Sequence, residues 1–318
     1  MRFGVGDFSG QRPPGSPATH SQLYAELIAQ ARTIEAAGLD SMWLSEHHFA
    51  EDGYMPSVLP IGAALLAATG RLVVGTDRLP ASLHHPVRLA EDAIALDLLS
   101  RGRFVLGLSL CYREVELRGF GADPERDLER LEATATFVRR ACRGEAGVSP
   151  LPHTPGGPPL MIAADGPGDA GPARAARLAD VMMVDPTETW ERTRELVDAY
   201  RRLGGRGEVA LFTYGAISEQ GARAAWSEIE AGFRHMRHTY DRWMGRPPTR
   251  RLPPAHHRLL LGTVPEVAGQ VVEHLRAFGG GCHLMLRLNY PGMPHSAVLR
   301  QIDLWAQVAD RVRQVYER

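Results

Sequence analysis

The densest group of chemically competent side chains in this 318-residue chain is Glu46-His47-His48. Imidazoles change charge near neutral pH, so a histidine at the exit of a strand is well placed to move protons, and a neighbouring carboxylate can fix its tautomer or hold the imidazolium. A hydrogen-bonded polar cluster without a catalytic role accounts for the same residues equally well. Metal binding is the weaker reading, because two adjacent histidines on an extended segment point apart and no other ligand cluster supports them. Asp77-Arg78 is the next candidate: either a contact to a polar substrate or cofactor edge, or an ion pair internal to neighbouring loops. Cys111 reads as a packed small residue rather than a nucleophile, since nothing near it suggests a lowered pKa. His84-His85-Pro86 falls at a helix entrance, where capping or packing is expected, and Met182-Met183 reads as core.

These residues need elements to position them, and the chain supplies short apolar runs alternating with amphipathic segments almost end to end. Eight runs read as strands: 2–8, 41–45, 72–76, 104–108, 160–164, 181–184, 209–217 and 282–288. Between them lie helical patterns. One opens at Thr19 and Gln22, which have the spacing of a capping box, and carries Leu23, Leu27, Ile28, Ala31 and Ile34. Gly102 follows a helix that starts at Pro86, where a left-handed cap favours glycine. Thr263 and Glu266 repeat the capping-box spacing before a helix reaching Phe278, and Val298, Ile302, Trp305, Ala309 and Val312 mark a closing helix. Helix is also expected over 222–244, followed by a Pro/Arg-rich loop over 246–254.

Strand followed by helix, about eight times, predicts a parallel sheet closed as a (β/α)8 barrel in one domain spanning 1–318, with an insertion in its C-terminal half. An open doubly wound sheet is the alternative, but no G-x-G-x-x-G follows the first strand. In such a barrel the reacting groups project from the carboxyl ends of the strands. That rule collects Glu46-His47-His48-Phe49 after strand two, Thr76-Asp77-Arg78 at strand three, Ser109-Leu110-Cys111-Tyr112 at strand four, Asp165-Gly166 at strand five and Arg287-Leu288-Asn289 at strand eight.

Composition narrows the function classes. The 36 basic residues, all arginine, face 37 acidic ones for a formal net charge of −1, which argues against nucleic acid or an anionic membrane held mainly by charge. The absence of lysine removes any Schiff base or lysine phosphate anchor. Three cysteines are too few and too scattered for a disulfide framework. The opening MRFGVGDFSG lacks the long apolar stretch of a signal peptide, and no run approaches the roughly 18 apolar residues of a membrane span, so a soluble cytoplasmic protein is expected.

Several segments together resemble the bacterial luciferase-like flavin-dependent monooxygenases. Trp43-Leu44-Ser45-Glu46-His47-His48-Phe49 is similar to the W-L-x-E-H-H-F segment of the luciferase α subunit. His84 to Asp92 and Leu99 to Phe104 resemble the H-P-V-R-x-A-E-D and L-S-x-G-R-F blocks, and Pro291-Gly292-Met293-Pro294 a tail motif of single-chain members. The resemblance runs over nearly the whole chain, densest between Leu39 and Gly121. It implies a dimeric (β/α)8 barrel that takes reduced FMN from a separate reductase and, through a C4a-hydroperoxide, oxygenates a small organic substrate. His47 matches the family's catalytic histidine, with Glu46 beside it, and Asp77, Arg78, Ser109, Tyr112, Arg126, Asp165 and Gly166 are the cofactor-binding positions it implies.

The departures from the family pattern are specific. The luciferase α subunit has a cysteine and then a phosphate-binding arginine after strand four, where this chain has Ser109 and Leu110. Hydroxyl residues hold the phosphate after the next strand, where this chain has Asp165-Gly166-Pro167-Gly168-Asp169, whose carboxylates repel a phosphate unless paired. Arg126 is a substitute phosphate partner. Small residues, often with a non-proline cis peptide, lie beneath the flavin at the end of strand three, where this chain has Asp77 and Arg78. Three readings follow: an FMN-dependent monooxygenase with altered phosphate contacts, a reductase or dehydrogenase using the deazaflavin coenzyme, and a non-catalytic partner chain similar to the luciferase β subunit.

Overall fold

The computed structural model describes residues 1–250, 259–276, 278 and 282–316. Its strands are β1 (Arg2–Phe8), β2 (Ser41–Ser45), β3 (Val73–Asp77), β4 (Leu79–Pro80), β5 (Phe104–Ser109), β6 (Leu160–Ala163), β7 (Val181–Val184), β8 (Glu208–Ile217), β9 (Leu259–Gly262) and β10 (Cys282–Arg287). β1, β2, β3, β5, β6, β7, β8 and β10 are paired in that order, all parallel, and β10 returns to β1, closing an eight-stranded barrel. The expected (β/α)8 barrel is therefore the observed fold. The eight runs read from the sequence are its staves, displaced by a residue or two at their ends.

Helices α1 (His20–Ala36), α2 (Val58–Ala68), α3 (Pro86–Ser100), α4 (Glu114–Gly119), α5 (Asp127–Cys142), α6 (Ala170–Leu178), α7 (Trp190–Arg202), α8 (Ala222–Trp243), α9 (Val264–Arg276) and α10 (His295–Tyr316) accompany the strands. α1 starts at the expected capping box, where the Thr19 hydroxyl accepts the Gln22 amide and the Gln22 side chain accepts the Thr19 amide. Thr263 and Glu266 make the same exchange ahead of α9. α3 ends with Arg101 and Gly102 both left-handed, at φ 55° and 86°. The expected helix of 264–278 is described only to Arg276 and at residue 278, and the second half of the Pro/Arg-rich loop, 251–254, lies outside the described residues. β4 and β9 were not legible: β4 is two residues long, and β9 pairs with the far end of the ten-residue β8.

Strand period decides which side chains point into the barrel. Outward positions such as Met42, Leu44, Leu106, Ile162, Met182 and Leu284 pack under the helices in the main core. Inward positions make a second core of Trp43, Val105, Met161, Met183, Phe212 and Met285. The Met182-Met183 pair thus feeds both cores, one residue each. Trp43 is seated by Gly75: a Cβ there would stand 2.2 Å from its ring. Toward the carboxyl ends of β2, β3, β5, β8 and β10 the inward positions turn polar: Ser45, Asp77, Ser109, Tyr214 and Arg287. The apolar layer is the floor on which the site stands.

Candidate active site at the carboxyl end of the barrel

Above that floor opens a cavity of about 890 Å³, within the roughly 300–1,000 Å³ of small-molecule and cofactor sites. Its wall includes Asp7, Ser45, Glu46, His47, Asp77, Arg78, Ser109, Tyr112, Asp165 and Arg287, so seven of the nine positions named from the sequence line one space. The two exceptions are Arg126 and Gly166. Arg126 lies on the exposed surface and pairs with Glu129 one turn along α5, so it does not serve the cavity. Gly166 sits one residue past the wall, with φ 124°, on the turn into α6.

His47 is held on both ring nitrogens. Its Nδ1 lies 3.0 Å from Glu116 Oε1, and its Nε2 lies 3.1 Å from the Tyr112 hydroxyl. The rings of Tyr54, Tyr240 and Trp243 stand edge-on around it. Burial raises the pKa of Glu116, but hydrogen bonds from His47 and the His48 amide and the charge of Arg113 outweigh it, and the carboxyl is held below its usual value. Glu116 therefore accepts the Nδ1 proton, which leaves Nε2 to receive the Tyr112 hydroxyl. Burial pushes that phenol well above its usual value, so it keeps its proton. Arg113 ties the arrangement together: it donates to Glu116 and to the His48 carbonyl, and its guanidinium lies 3.9 Å over the Trp243 ring.

Glu46 and His48 face away from that relay. Glu46 receives His84 Nε2 at 2.9 Å and His48 Nε2 at 3.2 Å. Burial opposes ionisation of Glu46, but the two histidines hold it at about 2. The adjacent histidines do point to different partners, as the extended chain requires, and no metal-binding cluster is found among the described residues. His84, read as a packing residue, has the further role of orienting Glu46. Cys111 packs with Leu83, Leu117 and Ala122, and burial pushes its thiol up to about 12.

Asp77 and Arg78 part company despite being neighbours. Arg78, left-handed at φ 63°, reaches across the mouth to pair with Asp185 and, at 3.3 Å, with Asp165. Ser109 holds that bend by donating its hydroxyl to the Arg78 carbonyl at 2.9 Å. The guanidinium is thus committed to two carboxylates, and the repulsion expected from Asp165 is neutralised; Asp169 is paired with Arg202. The Asp77 side chain has no hydrogen bond or ion pair among the described residues, and its Oδ1 is buried without a partner. Asp7 meets Arg287 at 2.9 Å, with its own Oδ1 equally unpartnered. Among the described residues the non-proline cis peptide stands at Gly6–Asp7, on β1, and not at the end of β3.

Sequence reasoning missed Glu116, Arg113, Asp7, Tyr54 and Tyr240. Strand alternation would put Asp7 outward with Phe3 and Val5, and it is the register break between Val5 and Phe8 that turns it into the cavity, whereas Glu116 lies 69 residues from His47 with no shared motif.

The pattern of the luciferase-like monooxygenase family matches residues 1–280. The alkanal monooxygenase alpha chain of Photorhabdus laumondii is 29% identical over 178 residues, 52% of this chain and 49% of that protein, so the match spans about half the length of such relatives. Among solved structures, monooxygenase RslO1 from Streptomyces bottropensis superposes with a TM-score of 0.85 at 21% identity, over 99% of this chain and 100% of that one. The oxygenating constituent of 3,6-diketocamphane monooxygenase from Pseudomonas putida, solved in complex with FMN, gives 0.77 at 15% identity over 98% of each chain. The likeness at these identities is one of fold, and the sequence match over most of the chain carries the assignment: the protein belongs to the luciferase-like monooxygenase family.

Proposed function

We propose that the protein is a flavin-dependent monooxygenase that uses reduced FMN, delivered by a separate reductase, and dioxygen to oxygenate a small organic substrate, acting as a dimer. The observation that carries this reading is the Tyr112–His47–Glu116 relay on the wall of a ring-sized cavity at the carboxyl end of the barrel. The donor set fits the ring part of the cofactor. Phe212, Tyr214 and Tyr240 supply aromatic walls, and the unpartnered oxygens of Asp7 and Asp77 offer polar contacts within the same space. The phosphate is served less well. Arg78, Arg237 and Arg287 are all paired with carboxylates, which leaves Arg246 at the rim as the one lining arginine without an ion pair among the described residues.

When bound, the reduced flavin supplies the electrons that activate dioxygen. The chain's own part is to hold protons and exclude water. Glu116 fixes the His47 tautomer, so His47 Nε2 stays available as a base. The Tyr112 hydroxyl keeps its own proton and donates it to that nitrogen as a hydrogen bond, which orients the imidazole at the cavity wall. Tyr54 and Tyr240, whose hydroxyls are 2.9 Å apart, and Trp243 shield the imidazole from bulk water.

Anaerobic titration with reduced FMN, followed by exposure to isotopically labelled dioxygen with a panel of aldehydes, ketones and amines, tests the reading. Saturable binding and label in a product support it. Binding of the deazaflavin coenzyme alone transfers the protein to the reductase reading, and binding of neither favours a non-catalytic partner chain.

A further inference from the structure

We propose that Asp77, as a neutral carboxylic acid, donates a hydrogen bond to the ring ligand of this cavity while the neighbouring Asp7 carboxylate accepts one, so that the pair recognises a heteroaromatic edge carrying a carbonyl beside an N–H. The inference rests on the flavin reading above and assigns the residues that read the ring.

Buried polar atoms without partners are rare, and one that lines a cavity is available to whatever fills it. Here two carboxyl groups, from strands on either side of β2, each carry a buried oxygen with no partner, and both line the same cavity. Asp77 is only 4% exposed. Every cation that could neutralise it is already engaged. Arg78 is committed to Asp165 and Asp185, and Arg287 donates to Asp7, to the Ser9 hydroxyl and to the Asn289 carbonyl. A second negative charge in this space would be both desolvated and opposed by Asp7.

The groups that face Asp77 act in both directions. Burial, the Asp7 carboxylate and Asp165 raise its pKa, Arg78 and Arg287 lower it, and the balance lies well above the usual carboxylate value. An unpartnered buried oxygen, two arginines already engaged elsewhere and the nearby Asp7 charge together favour the protonated, O–H-donating form, the device by which a buried site keeps a carboxyl neutral for hydrogen-bond donation. Asp7, anchored by Arg287, keeps its free oxygen as an acceptor. One donor and one acceptor on the wall of the same cavity complement a ring edge with the opposite pair, which the pyrimidine edge of a flavin presents.

The test needs no turnover. In the ligand-free protein at pH 7, infrared difference spectroscopy between wild type and D77N should show the carbonyl stretch of a protonated carboxyl; its absence overturns the assignment. Riboflavin and riboflavin methylated at the N–H of its pyrimidine edge are then titrated against wild type, D77N and D77A by tryptophan fluorescence, with thermal melts confirming that each variant folds. The methylated ligand should bind wild type about 10- to 100-fold more weakly, the scale of one buried hydrogen bond left unmade. D77N, which keeps an N–H donor, should stay within about threefold of wild type for riboflavin, and D77A should lose about tenfold or more. Equal binding of both ligands with D77A unaffected overturns the inference and leaves the flavin reading intact. Binding of neither ligand to wild type overturns both.

Discussion

Replacing Glu116 by glutamine tests whether one buried carboxylate organises the catalytic wall. Glu116 receives donors from four groups: His47 Nδ1, the His48 amide at 2.8 Å, Arg113 and the Cys111 thiol. Its side chain is 1% exposed and that of Arg113 is 5% exposed, so solvent screens the pair very little. Removing one partner of a buried ion pair costs about 3–5 kcal/mol, because the other charge is left uncompensated. Glutamine keeps the acceptor oxygen, and Arg113 retains the Trp243 ring and the His48 carbonyl, which places the expected loss near the lower end, about 3 kcal/mol. For a chain of this size that corresponds to a fall in Tm of roughly 4–5 °C. The assay is urea denaturation followed by far-UV circular dichroism, run on wild type, E116Q, R113M and the double variant. The double variant should recover part of the loss, because no charge is then left buried alone. A shift in E116Q below about 0.5 kcal/mol, or strict additivity in the double variant, would show that Glu116 and Arg113 are not coupled as described.

Three further outcomes are expected. His47→Ala should lower flavin-dependent oxygenation by about 100-fold or more, measured as product per flavin oxidised, and wild-type turnover in a folded variant would remove His47 from the relay. Glu46 ionises at about 2 in the folded chain against a usual 4.5. A depressed carboxyl stabilises the fold above its unfolded value, so about 3 kcal/mol should be lost as pH falls from about 4.5 toward 2, and a calorimetric Tm series should show E46Q with a flatter slope over that window. At Gly107 an added Cβ would stand 2.1 Å from the Thr76 carbonyl oxygen and 2.8 Å from Met161 Cε. Gly107→Ala should therefore cost about 3 kcal/mol or more in denaturant titration, and a neutral result would mean that β3 and β5 can separate without penalty.

The parts of this architecture that depend on neighbours in sequence were legible before the structure. Strand runs such as Ser41–Ser45 and Val181–Val184 are continuous and apolar because both faces are buried, and Thr19 with Gln22 announces a helix start within four residues. The strand-end rule then placed His47, Asp77, Ser109 and Asp165 on one rim without any contact information. The partners that give those residues their chemistry were not legible, because they arrive from distant segments. Glu116 approaches His47 across 69 residues, and Arg287 meets Asp7 across 280, since barrel closure brings the last strand beside the first. Charge content was visible in Asp77-Arg78, but its direction was not: only the left-handed turn at Arg78 shows that the arginine leaves for the loops while the aspartate stays inside. Arg126 failed for the converse reason, as a plausible charge on an exposed helix turn satisfied by its own neighbour.

In the proposed function a flavin ring occupies the space between His47 and Asp77. A crystal structure of the protein soaked anaerobically with reduced FMN tests it most directly. Ring density is expected inside the cavity, in contact with Tyr112 and bounded by the Asp7 and Asp77 carboxyls. Ring density outside that cavity, or a cavity that stays empty at saturating FMN, would contradict it.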